Sequence, residues 1–152
     1  MEKVSIGIDP GSASGNICIL WDDGEYELIA FKNQTLYEWG SRLGEISFET
    51  NAEAVTEAVH GFPGMSAIAV TSLMRNVGHI EMALALNLIP TRYVPPQTWM
   101  KFYGVKKDKG ESKTVWKKRL REVLQQRLPH VECTTEQADA VLIALYGLCT
   151  RI

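Results

Sequence analysis

Hydrophobic and polar residues alternate near the start of the chain. Apolar side chains occupy every second position from Val4 to Ile8, which is the period of a β-strand with one buried face. The Pro10-Gly11 pair then stops this strand in a turn, and an Asp-Gly turn follows a second apolar run. The pattern predicts three successive antiparallel strands, Lys3 to Asp9, Asn16 to Asp22 and Glu25 to Lys32.

Strand and helix patterns alternate in the rest of the chain. Two further strands are predicted, Ala52 to Val59 and Thr91 to Val94. Helices are predicted over Leu36 to Ile46, Ser66 to Leu88, Gln97 to Tyr103, Glu111 or Ser112 to about Leu128, and Thr134 or Thr135 to about Cys149. Three antiparallel strands followed by a β-α-β unit and further helices predict a mixed α/β sheet flanked by helices.

The helix predicted over Ser66 to Leu88 is apolar almost all round. Its formal charges are on Arg75 and Glu81 alone, so it has no evident solvent face. Either the helix lies wholly within the core, or one face packs on the sheet and the other on a second subunit. The pattern favours the second arrangement and therefore predicts a homodimer, although the first stays open.

Length and composition favour a single globular domain over residues 1–152. The chain is 45% hydrophobic and 22% charged, as is typical of soluble proteins. Its apolar runs are shorter than the roughly 18 residues of a membrane span, and a strand begins almost at Met1, so we expect no signal peptide. The three cysteines lack metal-binding spacing and are expected to be reduced thiols, which favours a cytoplasmic location.

The net charge of −2 hides a strong segregation of charge. Nine basic and two acidic residues between Lys101 and Arg121 give this segment +7, whereas the rest of the chain carries −9. Such segregation is expected of a polyanion-binding surface on an acidic protein, and a solvated helix face is the alternative. The candidate phosphate-binding residues are Lys101, Lys106, Lys107, Lys109, Lys113 and Lys117.

Four acidic residues stand where a carboxylate needs a compensating partner. Asp9 ends an apolar strand and Glu57 lies in the fourth strand. Glu136 and Asp139 are three apart at the predicted start of the last helix, so we expect them to share one helix face. A turn cap explains Asp9, and the helix dipole explains Glu136 and, less well, Asp139, but neither explains Glu57. Carboxylates brought together repel unless cations screen them, and oxygen ligands suit Mg²⁺ or Mn²⁺. Two such ions can activate water for phosphodiester hydrolysis.

The sequence resembles the RuvC family of Holliday-junction resolvases, in the ribonuclease H-like superfamily. Five segments carry the resemblance in order, IGIDPGSASG, TEAVHGFPG, PPQTWMKFYGV, ESKTVWKK and EQADAVLIALYG, and together they span nearly the whole chain. The divergent phage-type members are the most similar. The resemblance implies a five-stranded ribonuclease H-like sheet. It also implies a homodimeric, Mg²⁺-dependent endonuclease, with Mn²⁺ able to substitute, that cuts four-way or otherwise branched DNA.

The resemblance also assigns catalytic and metal-binding residues. The family's strand-one aspartate corresponds to Asp9, its strand-four glutamate to Glu57, and its two acids of the last helix to Glu136 and Asp139. These four acids would hold two ions. The family usually has aspartate at the first position of the helical pair, so Glu136 departs from the pattern.

Two DNA-binding assignments also come from the resemblance. The family lysines that contact DNA near the cleaved phosphate correspond to Lys101 and Lys113. An aromatic residue that follows the strand-four glutamate corresponds either to His60 or to Phe62, and the choice stays open.

Two functions of other classes fit part of the sequence. Actin-like ATP-binding domains also open with a strand and an acidic, glycine-rich turn, but they need a second lobe for which 152 residues leave no room. A non-catalytic junction-binding protein would use the basic segment without assembling a metal site. Nucleotide binding would identify an actin-like domain. Mg²⁺-dependent DNA cleavage would distinguish a nuclease from a non-catalytic junction-binding protein.

Overall fold

Five strands form one mixed sheet in a computed structural model that describes residues 1–11, 14–59 and 63–151. The strands are β1 (Lys3–Asp9), β2 (Asn16–Trp21), β3 (Tyr26–Ala30), β4 (Asn51–Glu57) and β5 (Thr91–Val94). Their order in the sheet is β3-β2-β1-β4-β5. Pairing is antiparallel between β1, β2 and β3, and parallel between β1, β4 and β5. The predicted mixed five-stranded sheet is confirmed.

Five α-helices of the described residues flank the sheet. They are α1 (Leu36–Glu49), α2 (Ala67–Leu86), α3 (Pro96–Phe102), α4 (Lys113–Arg127) and α5 (Ala138–Cys149). The Ser66 and Ser112 hydroxyls accept backbone N–H groups at the first turns of α2 and α4, so side-chain caps define where both helices begin. In the parts of the chain that the structure describes, a helix with the length and apolarity of a membrane span is absent.

Helices cover both faces of the sheet. Apolar residues of β1 and β2 that point to one face, such as Ile6 and Ile19, pack with α1 and α2 in one core. Residues of the opposite parity, such as Cys18 and Leu20, pack with α3, α4 and α5 in a second core. This division follows from the two-residue period of the strands.

The last helix begins later than predicted. Positions 135–137 form a turn, in which the Thr134 hydroxyl accepts the Gln137 N–H and the Gln137 side chain accepts the Thr134 N–H. The turn therefore satisfies its own polar groups, and α5 starts only at Ala138. The prediction that Glu136 and Asp139 share one helix face was wrong, because Glu136 precedes the helix.

Two glycines let α5 lie directly on the sheet. A Cβ atom on Gly7 would lie 2.2 Å from the Ala140 carbonyl oxygen, and one on Gly147 would lie 2.4 Å from the Ser5 Oγ. Any side chain at these positions would push the helix away. The close approach brings Asp139, in the first turn of α5, to the end of β1.

Candidate active site

Four acidic residues line one cleft of about 670 Å³. Asp9 and Glu57 are the last residues of the neighbouring parallel strands β1 and β4, so their side chains emerge at the same edge of the sheet. Asp139 joins them from the first turn of α5, and Glu136 from the preceding turn. The structure thus brings the four predicted acids to one cleft, and their catalytic role stays a prediction.

Asp9 is crowded by other carboxylates. Burial, together with the charges of Asp139 and Glu57, raises its pKa to about 7, and Lys117 opposes that shift. A carboxyl group in this position is partly protonated at neutral pH unless a cation joins the site. This electrostatic strain is typical of sites that bind cations or transfer protons.

Trp99 holds the Glu57 carboxylate. The indole Nε1–H donates a hydrogen bond of 2.9 Å to Glu57 Oε2, and the Trp99 side chain is fully buried. Burial raises the pKa of Glu57 and the bond from Trp99 lowers it. The hydrogen bond therefore favours the charged carboxylate and fixes its orientation. Sequence reasoning missed this partnership, because a tryptophan in a short apolar helix indicates only packing.

Asp139 is almost fully buried. Its Oδ2 accepts a 2.5 Å hydrogen bond from Lys117 Nζ, whereas its buried Oδ1 has no hydrogen-bond partner among the described residues. A buried carboxylate oxygen without a donor is unfavourable. Such an oxygen fits a hard divalent cation such as Mg²⁺ or Mn²⁺, because these ions prefer oxygen ligands.

Glu136 lies at the rim of the cleft. Its side chain is 63% exposed, and its nearest cation is Lys32, at 3.9 Å. The backbone of its turn is held by Asn16, whose buried side-chain amide donates to the Glu136 carbonyl oxygen. Because Asn16 pairs with Asp9 across β1 and β2, the sheet positions the turn, while the Glu136 carboxylate stays exposed at the rim.

The donor atoms suit a divalent ion, but they do not enclose one in the present arrangement. Across residues 1–11, 14–59 and 63–151, no three His, Cys, Asp or Glu side chains are placed to hold a metal together. The cation that Asp139 contacts is the Lys117 ammonium. The residues therefore fit the implied metal in chemical type, but the described side chains do not form a binding geometry in this arrangement.

The predicted phosphate-binding lysines divide between two clefts. Lys113 and Lys117 line the acidic cleft, whereas Lys101, Lys106 and Lys107 line a second cleft of about 780 Å³. Helix α4 contributes residues to both clefts. Lys109 is exposed in the turn that precedes α4.

An arginine of the basic segment neutralises the two acidic residues of the same segment. Arg119 lies 2.9 Å from Glu111 and 3.4 Å from Asp108, the two acidic residues between positions 101 and 121. The lysines of the loop therefore present positive charge that nearby carboxylates do not offset. His60 and Phe62, the two candidates for a DNA-contacting aromatic position, lie outside the described residues.

Comparison with known proteins gives matches in structure only. No protein-family model matches the sequence, and no curated protein matches it at a significant level. A structure of T. thermophilus RuvC in complex with a Holliday junction substrate matches with a TM-score of 0.65 and 15% identity, covering 96% of this chain and 92% of that one. The chain has the RuvC fold.

A second structure agrees. A Thermus thermophilus RuvC structure matches with a TM-score of 0.53 and 17% identity, covering 95% of this chain and 93% of that one. The RuvC-type, ribonuclease H-like fold that the five segments imply is confirmed, and it extends over nearly the whole length of both RuvC chains.

Proposed function

We propose that the protein is a metal-dependent, structure-selective endonuclease that cuts four-way DNA junctions and other branched DNA. The observation that carries the proposal is the meeting of Asp9, Glu57 and Asp139 in one cleft beside Lys113. The buried, unpartnered Oδ1 of Asp139 supports a cation site there. The fold shared with a RuvC structure bound to a Holliday junction substrate supports branched DNA as the substrate.

The four acids would together coordinate two Mg²⁺ or Mn²⁺ ions. Asp9 and Glu57 provide half-buried carboxylates from strand ends and Asp139 a buried one from α5, whereas Glu136, exposed at the rim, would move in to join them. Ions bound at such a site supply an activated water and stabilise charge on the leaving oxygen of a phosphodiester. The hydrogen bond from Trp99 orients the Glu57 carboxylate and favours its charged form. The site thus combines fixed ligands with one adjustable ligand.

The lysines would bind the DNA backbone on both sides of α4. Lys113 lines the acidic cleft and would contact the phosphate under attack. Lys101, Lys106 and Lys107 line the second cleft and would hold an adjoining arm of the junction. Neutralising phosphates in this way releases counterions, so binding is expected to weaken steeply with salt.

Incubation with synthetic DNA tests the proposal. A four-way junction and a linear duplex of the same sequence are incubated with Mg²⁺ or with EDTA. We expect the wild-type protein to nick only the junction and only with Mg²⁺. The Asp9→Asn variant should bind the junction without cutting it, and the matched control Asp22→Asn, an exposed residue of the turn after β2, should cut normally.

The other outcomes separate the alternatives. Cutting by Asp9→Asn, or cutting in EDTA, would contradict the metal site. Tight junction binding without cutting by the wild-type protein would identify a non-catalytic junction binder. ATP binding without DNA binding would identify an actin-like nucleotide site.

We also propose that two copies form a C2 dimer through α2. The side chains of Ile68, Met82 and Leu86 on α2 are 81%, 59% and 74% exposed, and an apolar surface of this kind marks an interaction site. A C2 dimer would place one cleft at each of two symmetric strands of a junction. Sedimentation should show a dimer that Leu86→Glu dissociates and that Gln125→Glu, on exposed α4 surface, leaves intact. A monomer at micromolar concentration that still makes paired cuts would contradict it.

A further inference from the structure

Lys117 is a cationic side chain of the acidic cleft that contacts one of its carboxylates. Its Nζ lies 2.5 Å from Asp139 Oδ2, and the two side chains are 27% and 8% exposed. Lys117 stands four residues after Lys113 on α4, so the two lysines share one helix face, and both line the cleft. Lys117 has turned toward the carboxylates, whereas Lys113 is exposed.

The charge of the Lys117 ammonium acts on several carboxylates of the cleft. Besides its contact with Asp139, the charge of Lys117 lowers the pKa of Asp9 and that of Glu57. Burial and the charges of Asp139 and Glu57 outweigh the effect of Lys117 and still raise the pKa of Asp9. The cluster is under-compensated and retains affinity for further positive charge.

An ammonium group and a divalent ion cannot share this position. Two cations that contact the same carboxylate oxygen repel strongly in a partly buried site, and Asp139 Oδ2 is already engaged by Lys117. The carboxylates do not enclose an ion while the described side chains keep this arrangement. A divalent ion that takes Asp139 Oδ2 as a ligand must therefore move Lys117.

We propose that Lys117 is the resident counter-ion of the metal-free cleft, and that a divalent ion displaces its ammonium from Asp139 toward the DNA phosphate beside Lys113. This inference rests on the proposed metal-dependent nuclease. The displaced ammonium exchanges a carboxylate partner for a phosphate partner, so DNA binding and metal binding reinforce each other. By thermodynamic linkage, a phosphate that engages Lys117 raises metal affinity by the same factor by which metal raises phosphate affinity.

Mn²⁺ titration by calorimetry without DNA tests the displacement. We expect Lys117→Met to bind Mn²⁺ at least about tenfold more tightly than wild type, because the competing charge is gone. The matched control is Lys118→Met, because Lys118 lines the same cleft and has no ion-pair partner among the described residues. Lys118→Met should bind Mn²⁺ within a few-fold of wild type.

Thermal unfolding gives a second readout that does not depend on activity. In EDTA the Lys117→Met variant should melt several degrees below wild type, because Asp139 loses the partner of a buried ion pair. In saturating Mn²⁺ the two proteins should melt at similar temperatures, since the ion replaces the ammonium. For Lys118→Met, the difference in melting temperature between EDTA and saturating Mn²⁺ should equal that of wild type.

Acylation of the wild-type protein decides the matter even if Lys117→Met fails to fold. The modification rate of each lysine is measured by mass spectrometry with and without Mn²⁺. Mn²⁺ should raise the rate at Lys117 severalfold relative to Lys118. If wild type binds no Mn²⁺, the proposed metal site itself fails. If wild type binds Mn²⁺ but the labelling of Lys117 and the affinity of Lys117→Met are unchanged, only the displacement by the ion is overturned.

Discussion

The buried carboxyl group of Asp9 makes the stability of the metal-free protein depend on pH. Burial, Asp139 and Glu57 raise its pKa from 3.8 to about 7. Between these values the folded state holds a proton that the unfolded chain has released, so the free energy of unfolding falls as pH rises. For one group with these two pKa values, the loss between about pH 5 and about pH 7.5 is roughly 2.5 kcal/mol.

Urea unfolding of wild type and Asp9→Asn in EDTA measures this loss. Asparagine is neutral at both pH values, so the contributions of distant titrating groups cancel in the comparison. We expect the variant to gain about 2.5 kcal/mol relative to wild type between about pH 5 and about pH 7.5. Saturating Mg²⁺ should remove that advantage, because the ion compensates the ionised Asp9. If the free energies of unfolding of the two proteins change equally with pH across this range, the raised pKa of Asp9 is refuted.

Three further substitutions test residues that position the site or bind DNA. Trp99→Phe removes the hydrogen bond to Glu57 and should lower kcat on a four-way junction about tenfold, with the Kd for the junction unchanged. Single-turnover cleavage measures the rate, and gel shift measures the Kd. An unchanged kcat would show that the bond is dispensable. Gly7→Ala should cost about 1–3 kcal/mol in urea unfolding by pushing α5 off β1, whereas Gly40→Ala, with open space at its Cβ, should cost nothing. Lys113→Ala should reduce the salt slope of junction binding by about one unit, and an unchanged slope would make Lys113 a solvated residue only.

The sequence by itself determined the elements and their order. The alternation from Val4 to Ile8 and the Pro10-Gly11 turn define β1 and its end, and the observed strand runs over the predicted residues. The exposed apolar positions on α2 likewise follow from its composition. These features are local in the chain, because strand and helix periodicities depend on residues a few positions apart. The four candidate acids are visible for the same reason, since each sits in an unusual local context.

Only the tertiary structure decided which partner each acid has. Trp99 and Glu57 are 42 residues apart, and Lys117 and Asp139 are 22 apart, so no local pattern links them. The sequence also predicts that Glu136 lies on the face of the last helix, whereas a self-bonded turn keeps it outside α5. Local spacing determines which face a residue occupies, but the partner of a buried charge is set by how separate elements pack. Here that packing depends on the backbone contact that Gly7 permits between β1 and α5.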